Sequence, residues 1–202
     1  VGSGKTIVAL RAALTVVDSG GQAALLAPTE VLAQQHFRSI SKLMGDLASA
    51  GMLGGSDRAT RISKLTGSLN SAERKNALAE IKNGSAGIVI GTHALLTESV
   101  DFADLGLVII DEQHRFGVEQ RDALRAKGNL PPHVLVMTAT PIPRTVAMTV
   151  FGDLDISTLR ELPKGRAAIT THIVDESDKP HYLERAWTRI IEEVKTGAQA
   201  YI

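Results

Sequence analysis

The sequence predicts an α/β domain, a parallel sheet flanked by helices, and three observations carry that expectation. Apolar β-branched runs such as Ile88-Val89-Ile90 and Leu107-Val108-Ile109-Ile110 lack polar alternation, as strands buried on both faces do. Segments of helical periodicity fall between these runs, so crossover helices join parallel strands. The chain also opens on Val1-Gly2-Ser3-Gly4-Lys5-Thr6, the closing half of the pattern G-x-x-x-x-G-K-[ST], a glycine loop that leads into a helix. The first glycine of that pattern would precede Val1, which marks the sequence as a piece of a longer protein.

The elements follow in order. Lys5 to about Val17 is the helix behind the loop, closed by Ser19-Gly20-Gly21. Ala23 to Ala27 is a buried strand ending at Pro28, and Glu30 to about Leu43 returns as a helix. Gly45 to Arg61 carries four glycines and little periodicity, which predicts a flexible surface insertion. Ser63 to Thr66 is a short strand running into Gly67. Ser71 starts a helix without a capping box, with Glu73 in its first turn, and that helix runs to about Lys82. Val134-Leu135-Val136-Met137 is a further strand buried on both faces.

Composition shifts at Glu161-Leu162-Pro163-Lys164-Gly165-Arg166, which places a domain boundary there, with domains at 1–162 and 163–202. Beyond it come a strand at about Ala168 to Val174, a helix from His181 to Lys195 and a strand beginning at Ala198. Leu183, Ala186, Trp187, Ile190, Ile191 and Val194 give that helix a continuous apolar stripe, in which Trp187 is expected to be core.

Composition narrows the function classes. Lys plus Arg and Asp plus Glu balance at 22 each, so any nucleic acid would be held by a local strip and not by a global positive field. The sequence has no cysteine, which rules out disulfides and thiolate metal sites and suits a reducing cytoplasm. Apolar runs are far too short to span a membrane. Aromatic residues make up 3% of the chain, too few for extensive base-stacking platforms.

Two motifs carry the chemistry. In the opening loop, Gly2, Ser3 and Gly4 let backbone N–H groups close around phosphate oxygens with little steric hindrance. Lys5 supplies a point charge for the β- and γ-phosphates, and the Thr6 hydroxyl can hold Mg²⁺. Far downstream, the apolar run from Leu107 delivers Asp111 at a strand's C-terminal end, where open α/β sheets place their ligands. Asp111 is the candidate metal contact and Glu112 the candidate to orient and deprotonate an attacking water. Gln113 and His114 follow closely enough to sense the γ-phosphate. A glycine turn and an acidic helix start would each be ordinary alone; together they point to a nucleoside triphosphate and a divalent metal.

Further motifs sit at strand ends. Pro28-Thr29-Glu30, Thr66-Gly67 and Gly91-Thr92-His93 offer hydroxyls and helix N-terminal amides that can bind backbone phosphates, or equally serve as helix caps. Thr138-Ala139-Thr140 ends a strand before Pro141 and Pro143, which block helix continuation. Its hydroxyls either bond toward the acidic box or satisfy loop backbone. Arg144 follows the two prolines and, taken alone, reads as an exposed, solvated arginine. His36, His133, His172 and His181 lack metal-ligand spacing with carboxylates.

Asp111-Glu112-Gln113-His114-Arg115-Phe116-Gly117, followed by Thr138-Ala139-Thr140-Pro141-Ile142-Pro143-Arg144-Thr145, resembles a superfamily 2 helicase, and specifically the RecG family. Ala27 to Ala33 is similar to that family's motif Ia, Leu65 to Ser68 and Gly91 to Leu95 to its next two DNA-side segments, and Glu161 to Arg166 to the junction of its motor domains. The resemblance implies a RecA-like P-loop NTPase sheet over 1–162, followed by the start of a second RecA-like domain. It implies a cytoplasmic, monomeric motor that couples ATP hydrolysis to movement on double-stranded and branched DNA, at forks and Holliday junctions, in recombination and repair. In this reading Thr138, Ala139 and Thr140 couple hydrolysis to domain movement, while Pro28, Thr29, Glu30, Thr66, Gly67, Gly91, Thr92, His93 and Arg144 face DNA. The transcription-repair coupling translocase is the nearest alternative; Gln113 and the Leu162-Pro163-Lys164-Gly165-Arg166 junction favour RecG. A P-loop phosphotransferase and a non-catalytic nucleotide-dependent scaffold are the readings from other classes.

The resemblance also implies that an arginine of the second domain completes the transition-state cage, a contribution worth about 10³–10⁵ in rate. No candidate for it follows Arg166. Residues 1–202 alone are therefore expected to hydrolyse ATP very slowly and to unwind nothing, an expectation that phosphate release with and without duplex DNA measures directly.

Overall fold

The computed structural model describes residues 4–48, 59–111, 130–139, 155–159, 171, 173 and 180–201. The chain divides into two compact units, Val1–Leu162 and Pro163–Ile202. In the first, the described elements run α1 (Lys5–Asp18), β1 (Gln22–Leu26), α2 (Glu30–Met44), a 3₁₀ turn (Gly45–Ala48), β2 (Arg61–Leu65), α3 (Ser71–Lys82), β3 (Ala86–Gly91), a second 3₁₀ turn (His93–Leu96), β4 (Leu105–Asp111) and β5 (His133–Met137). Among the described residues these strands form one five-stranded sheet in the order β2-β3-β1-β4-β5, with every pairing parallel.

Parallel neighbours force the chain to cross back over a sheet face between strands, and both faces are covered as the apolar runs require. Strand alternation divides the core. Ala23 and Leu25 of β1, Ile88 and Ile90 of β3 and Leu107 and Ile109 of β4 pack with Ala9, Leu10 and Ala13 of α1 and Ala33, Ile40 and Met44 of α2. Ala24, Leu26, Val89, Val108 and Ile110 point the other way, toward Ala77 and Ile81 of α3. Strand β5 departs from its expected burial on both faces: only Met137 is buried, with His133 exposed. It pairs with β4 alone among the described residues and so lies at an edge.

A buried glutamine sets the sheet's lower edge. The Gln22 side-chain amide donates to the carbonyls of Ile81 (3.0 Å) and Ala86 (2.8 Å), and its oxygen accepts from the amides of Ala103 (2.8 Å) and Asp104 (3.1 Å). One side chain thus satisfies polar groups from α3, β3 and the entry to β4. This position was legible only as the residue preceding a strand expected to start at Ala23.

Three local expectations are corrected. Helix α3 does carry a capping box: its N-cap is Asn70, whose side chain accepts from the Glu73 amide at 2.9 Å while the Glu73 carboxylate accepts from the Asn70 amide at 3.1 Å. Placing the cap at Ser71 shifted the pattern by one residue and hid the acid at the third helical position. The expected insertion begins with an ordered 3₁₀ turn at Gly45–Ala48 and ends in β2, with the Thr60 amide bonded to the Leu47 carbonyl at 2.8 Å; 49–58 lie outside the described residues. In the second unit the helix expected from His181 is present as α4 (Pro180–Lys195), but Trp187 is 46% exposed. The described residues of that unit supply no strand for its apolar stripe to cover, and 198–201 form none. Most of the strand expected at 168–174 lies outside the described residues.

Replacing Gln22 with Leu removes a donor to the Ile81 and Ala86 carbonyls and the acceptor of the Ala103 and Asp104 amides. The Ile81 carbonyl keeps the Gly84 amide and the exposed Ala103 and Asp104 can turn to water, so urea unfolding is expected to register a loss of about 1–3 kcal/mol. Asn70→Ala, which removes only the cap, is expected to cost about 1 kcal/mol in the same measurement.

Candidate nucleotide and nucleic-acid sites at one sheet edge

The polarity of the sheet decides where the motifs meet. Helix α1 ends at the strands' N-terminal edge, where the amides of Gly20 and Gly21 return to the carbonyls of Val17 and Val16 and the Gln22 amide reaches the Asp104 carbonyl. Its 14 residues rise about 21 Å, which returns Gly4, Lys5 and Thr6 to the C-terminal edge. Gly4 adopts φ 84°, a left-handed conformation that a side chain would strain, and its carbonyl receives the amides of Ile7 and Val8. The first turn contains no acid, so nothing there offsets the positive end of the helix. Gly2 and Ser3 lie outside the described residues.

Asp111 closes β4 at this same edge. Alternation after Leu107 and Ile109 directs it to the face that α1 and α2 cover. There its Oδ2 is 2.7 Å from Nε2 of His36, on α2, with both side chains nearly buried at 13% and 12% exposure. No partner among the described residues engages Asp111 Oδ1 or the Thr6 hydroxyl. A carboxylate oxygen and a hydroxyl on one face of one edge are the hard oxygen donors that Mg²⁺ takes beside nucleotide phosphates, and such a site needs only one or two protein carboxylates. The residues present therefore fit the metal. Glu112, Gln113, His114, Thr140 and Arg144 lie outside the described residues; Thr138 and Ala139 follow β5 at the same edge.

On the other side of β1, three motifs converge around Glu30. Its carboxylate accepts from the Ser68 amide at 3.0 Å, and a Cβ placed on Gly67 would stand 3.0 Å from its Oε1. The Ser68 hydroxyl, foremost, holds the Glu30 carboxyl below its ordinary value, helped by the amides of Ser68 and Gly67 and by the charge of His93, while desolvation opposes them. The segments after β1, β2 and β3 thus form one surface. Thr29 is the cap of α2, its hydroxyl accepting from the Leu32 amide at 3.3 Å.

Two threonines expected on that surface face inward. Thr66 is 2% exposed, its hydroxyl beside that of Ser68, and Thr92 is 1% exposed with a hydroxyl that has no partner among the described residues. Neither hydroxyl is presented to a ligand above the edge; Gly67, Ser68 and His93 are exposed there. Gly91 supports the same close packing, because a Cβ on it would overlap the Leu65 carbonyl oxygen. Beside this surface lies a shallow groove of about 610 Å³, bordered by Gln34, Arg38, Lys64 and Ser68. Arg38 and Lys64, outside the motifs, add positive charge beside this surface. Neither they nor His36 stood out in the sequence, although a polar residue in the apolar stripe Ala33, Phe37, Ile40 was the available signal for His36.

The chain is also similar to known helicases. A family model described as DEAD/DEAH box helicase matches residues 1–149. The ATP-dependent DNA helicase RecG of Mycobacterium bovis is 63% identical over 204 residues, covering 100% of this chain and 28% of that protein. RecG of Aquifex aeolicus is 46% identical over 203 residues, covering 100% of this chain and 24% of its own length. The chain thus spans about a quarter of the length of these relatives. A solved structure of RecG bound to a three-way DNA junction superposes with a TM-score of 0.76 at 36% identity, covering 100% of this chain and 25% of that one. A DEAD box protein from Methanococcus jannaschii shares the fold, with a TM-score of 0.53 at 22% identity over 74% of this chain and 40% of its own.

Since the folded-state pKa of Glu30 lies below its unfolded value of about 4.3, its charge favours the fold above that value, and the contribution is lost as pH falls through the lower folded value. Glu30→Gln is therefore expected to be less stable than the parent at neutral pH and equal to it once the carboxyl is protonated. Denaturant midpoints along a pH series from about 7 to about 3 test this.

Proposed function

Because the chain belongs to the DEAD/DEAH box helicase family, we propose that it is the first motor domain of a RecG-type enzyme that couples ATP hydrolysis to movement on branched or double-stranded DNA. The observation that carries this reading is the common sheet edge, with the α1 N-terminus and Asp111 on one part of it and the Glu30–Ser68–His93 surface on another. A nucleotide site alone would suit many P-loop enzymes. A second surface on the same edge, with Gly67, Ser68 and His93 exposed and Arg38 and Lys64 beside it, suits a motor that must hold a phosphate backbone without reading sequence.

In this proposal Gly2, Ser3 and Gly4 wrap phosphate with backbone amides and Lys5 neutralises the β- and γ-phosphates. Thr6 and Asp111 hold Mg²⁺, which supplies charge neutralisation on the phosphate oxygens when bound. Glu112 orients the attacking water and accepts its proton. Thr138, Ala139 and Thr140 link this site to domain movement. On the DNA side, Gly67, Ser68 and His93 approach the backbone, with Arg38, Lys64 and Arg144 as the cationic contacts. Residues 163–202 open a second motor domain, and the enzyme works as a cytoplasmic monomer at forks and Holliday junctions. The RecG identity over the whole chain supports this choice above the transcription-repair coupling translocase.

Glu112→Gln in the full-length protein is expected to abolish DNA-stimulated phosphate release while leaving ATP binding within about threefold of the parent, a difference of less than about 0.7 kcal/mol. Lys5→Ala is expected to weaken ATP binding itself. Unchanged hydrolysis in the glutamine variant would remove Glu112 from its assigned role, and transfer of phosphate to a small acceptor in place of release would overturn the motor reading.

A further inference from the structure

We infer that His36 is a positioning residue for the metal–nucleotide site, holding Asp111 by a hydrogen bond delivered from the helix whose first turn builds the DNA-side surface. The inference rests on the reading of Asp111 as a Mg²⁺ ligand and deepens it. Asp111 is an acceptor, so the 2.7 Å contact requires the hydrogen on Nε2 of His36. That hydrogen bond occupies Oδ2 and fixes the carboxylate plane, while Oδ1 has no partner among the described residues. A carboxylate that must also bind a metal gains from such an anchor, because an oriented ligand loses less freedom when the metal arrives.

The placement of His36 argues for this role above simple core packing. It lies in the apolar stripe of α2 with Ala33, Phe37 and Ile40, where an aliphatic residue would pack at no polar cost. Its imidazole instead spans from α2 to the end of β4, two elements whose motifs are 75 residues apart in sequence. The same helix begins at the Thr29 cap, and Glu30 in its first turn holds Ser68. Glu30 and His36 are six positions apart, about 9 Å along a rigid helix. A shift of α2 when DNA meets the Glu30–Ser68–His93 surface would therefore be felt at Asp111 through one hydrogen bond.

The test is nucleotide binding by the full-length protein, measured by calorimetry with a non-hydrolysable ATP analogue, once with Mg²⁺ titrated in and once in EDTA. His36→Ala is expected to weaken Mg²⁺ in the nucleotide complex about 10–100-fold while leaving metal-free nucleotide affinity unchanged. His36→Gln, whose Nε2 can donate to the same oxygen, is expected to recover most of that loss. Mg²⁺ affinity equal to the parent in His36→Ala, equal impairment of both variants, or a parallel loss in EDTA would each overturn the inference. If the unsubstituted protein binds the analogue equally with and without Mg²⁺, the metal reading of Asp111 fails first, and the inference with it.

Discussion

Every strand pairing in the described sheet is parallel, and most of the site follows from that constraint. A parallel pair cannot be closed by a tight turn, so each connection must cross a sheet face and start again from the same edge. Helices occupy the crossovers and the segments leaving the strands collect at the opposite edge. The five strand ends span about 19 Å at a spacing near 4.8 Å. Within that span stand the loop into α1, the Glu30–Ser68 contact, the His93 segment, Asp111 and the Thr138-Ala139 segment. Motifs scattered over more than a hundred residues become neighbours without any long-range contact being specified singly.

Helix α2 shows how that edge is held in register. Its N-terminus is capped by Thr29 and its first turn is tied to the β2 exit through Glu30. Its buried face packs on β1 and β3 through Ala33 and Ile40, and His36 ties it to the β4 exit. Packing of Ala33, Ile40 and Met44 supplies most of the attraction between α2 and the sheet; the polar ties differ from it in being directional. The two carboxylate contacts tie α2 at its first turn, through Glu30, and near its middle, through His36.

Much of this was legible in the residues. Runs without polar alternation mark β1, β3 and β4, the glycine loop before it and Ser19-Gly20-Gly21 after it mark α1, and the position of Asp111 at the end of an apolar strand marks the candidate site's edge. What the sequence hid were features that depend on a one-residue register or on distant partners. The Asn70 cap was missed because Ser71 is itself a good cap residue and drew the boundary forward. Gln22 and His36 each look unremarkable locally, since their partners lie 59–82 and 75 positions away. Thr66 and Thr92 were read as surface hydroxyls because a strand-end threonine can face either way. Close packing around Gly91 and beneath the Ser68 segment turns them inward.

The charge pattern on the proposed nucleic-acid side limits what the Glu30 carboxylate can do. A phosphate brought directly onto an exposed carboxylate meets like charge, so Glu30 is unsuited to contact a DNA backbone. Its oxygens instead engage the Ser68 amide and hydroxyl and lie against Gly67, which leaves that segment in one conformation. Cationic contact must then come from beside it, and Arg38 and Lys64 border the adjoining groove. Lys64 is itself held by the Gln34 side chain and lies 6.0 Å from the Phe37 ring centroid, so its charge is aimed and not merely present. The Glu30 carboxylate thus acts as a scaffold that shapes the Gly67-Ser68 segment, and in the proposed function Arg38 and Lys64 join the motif residues in attracting phosphate.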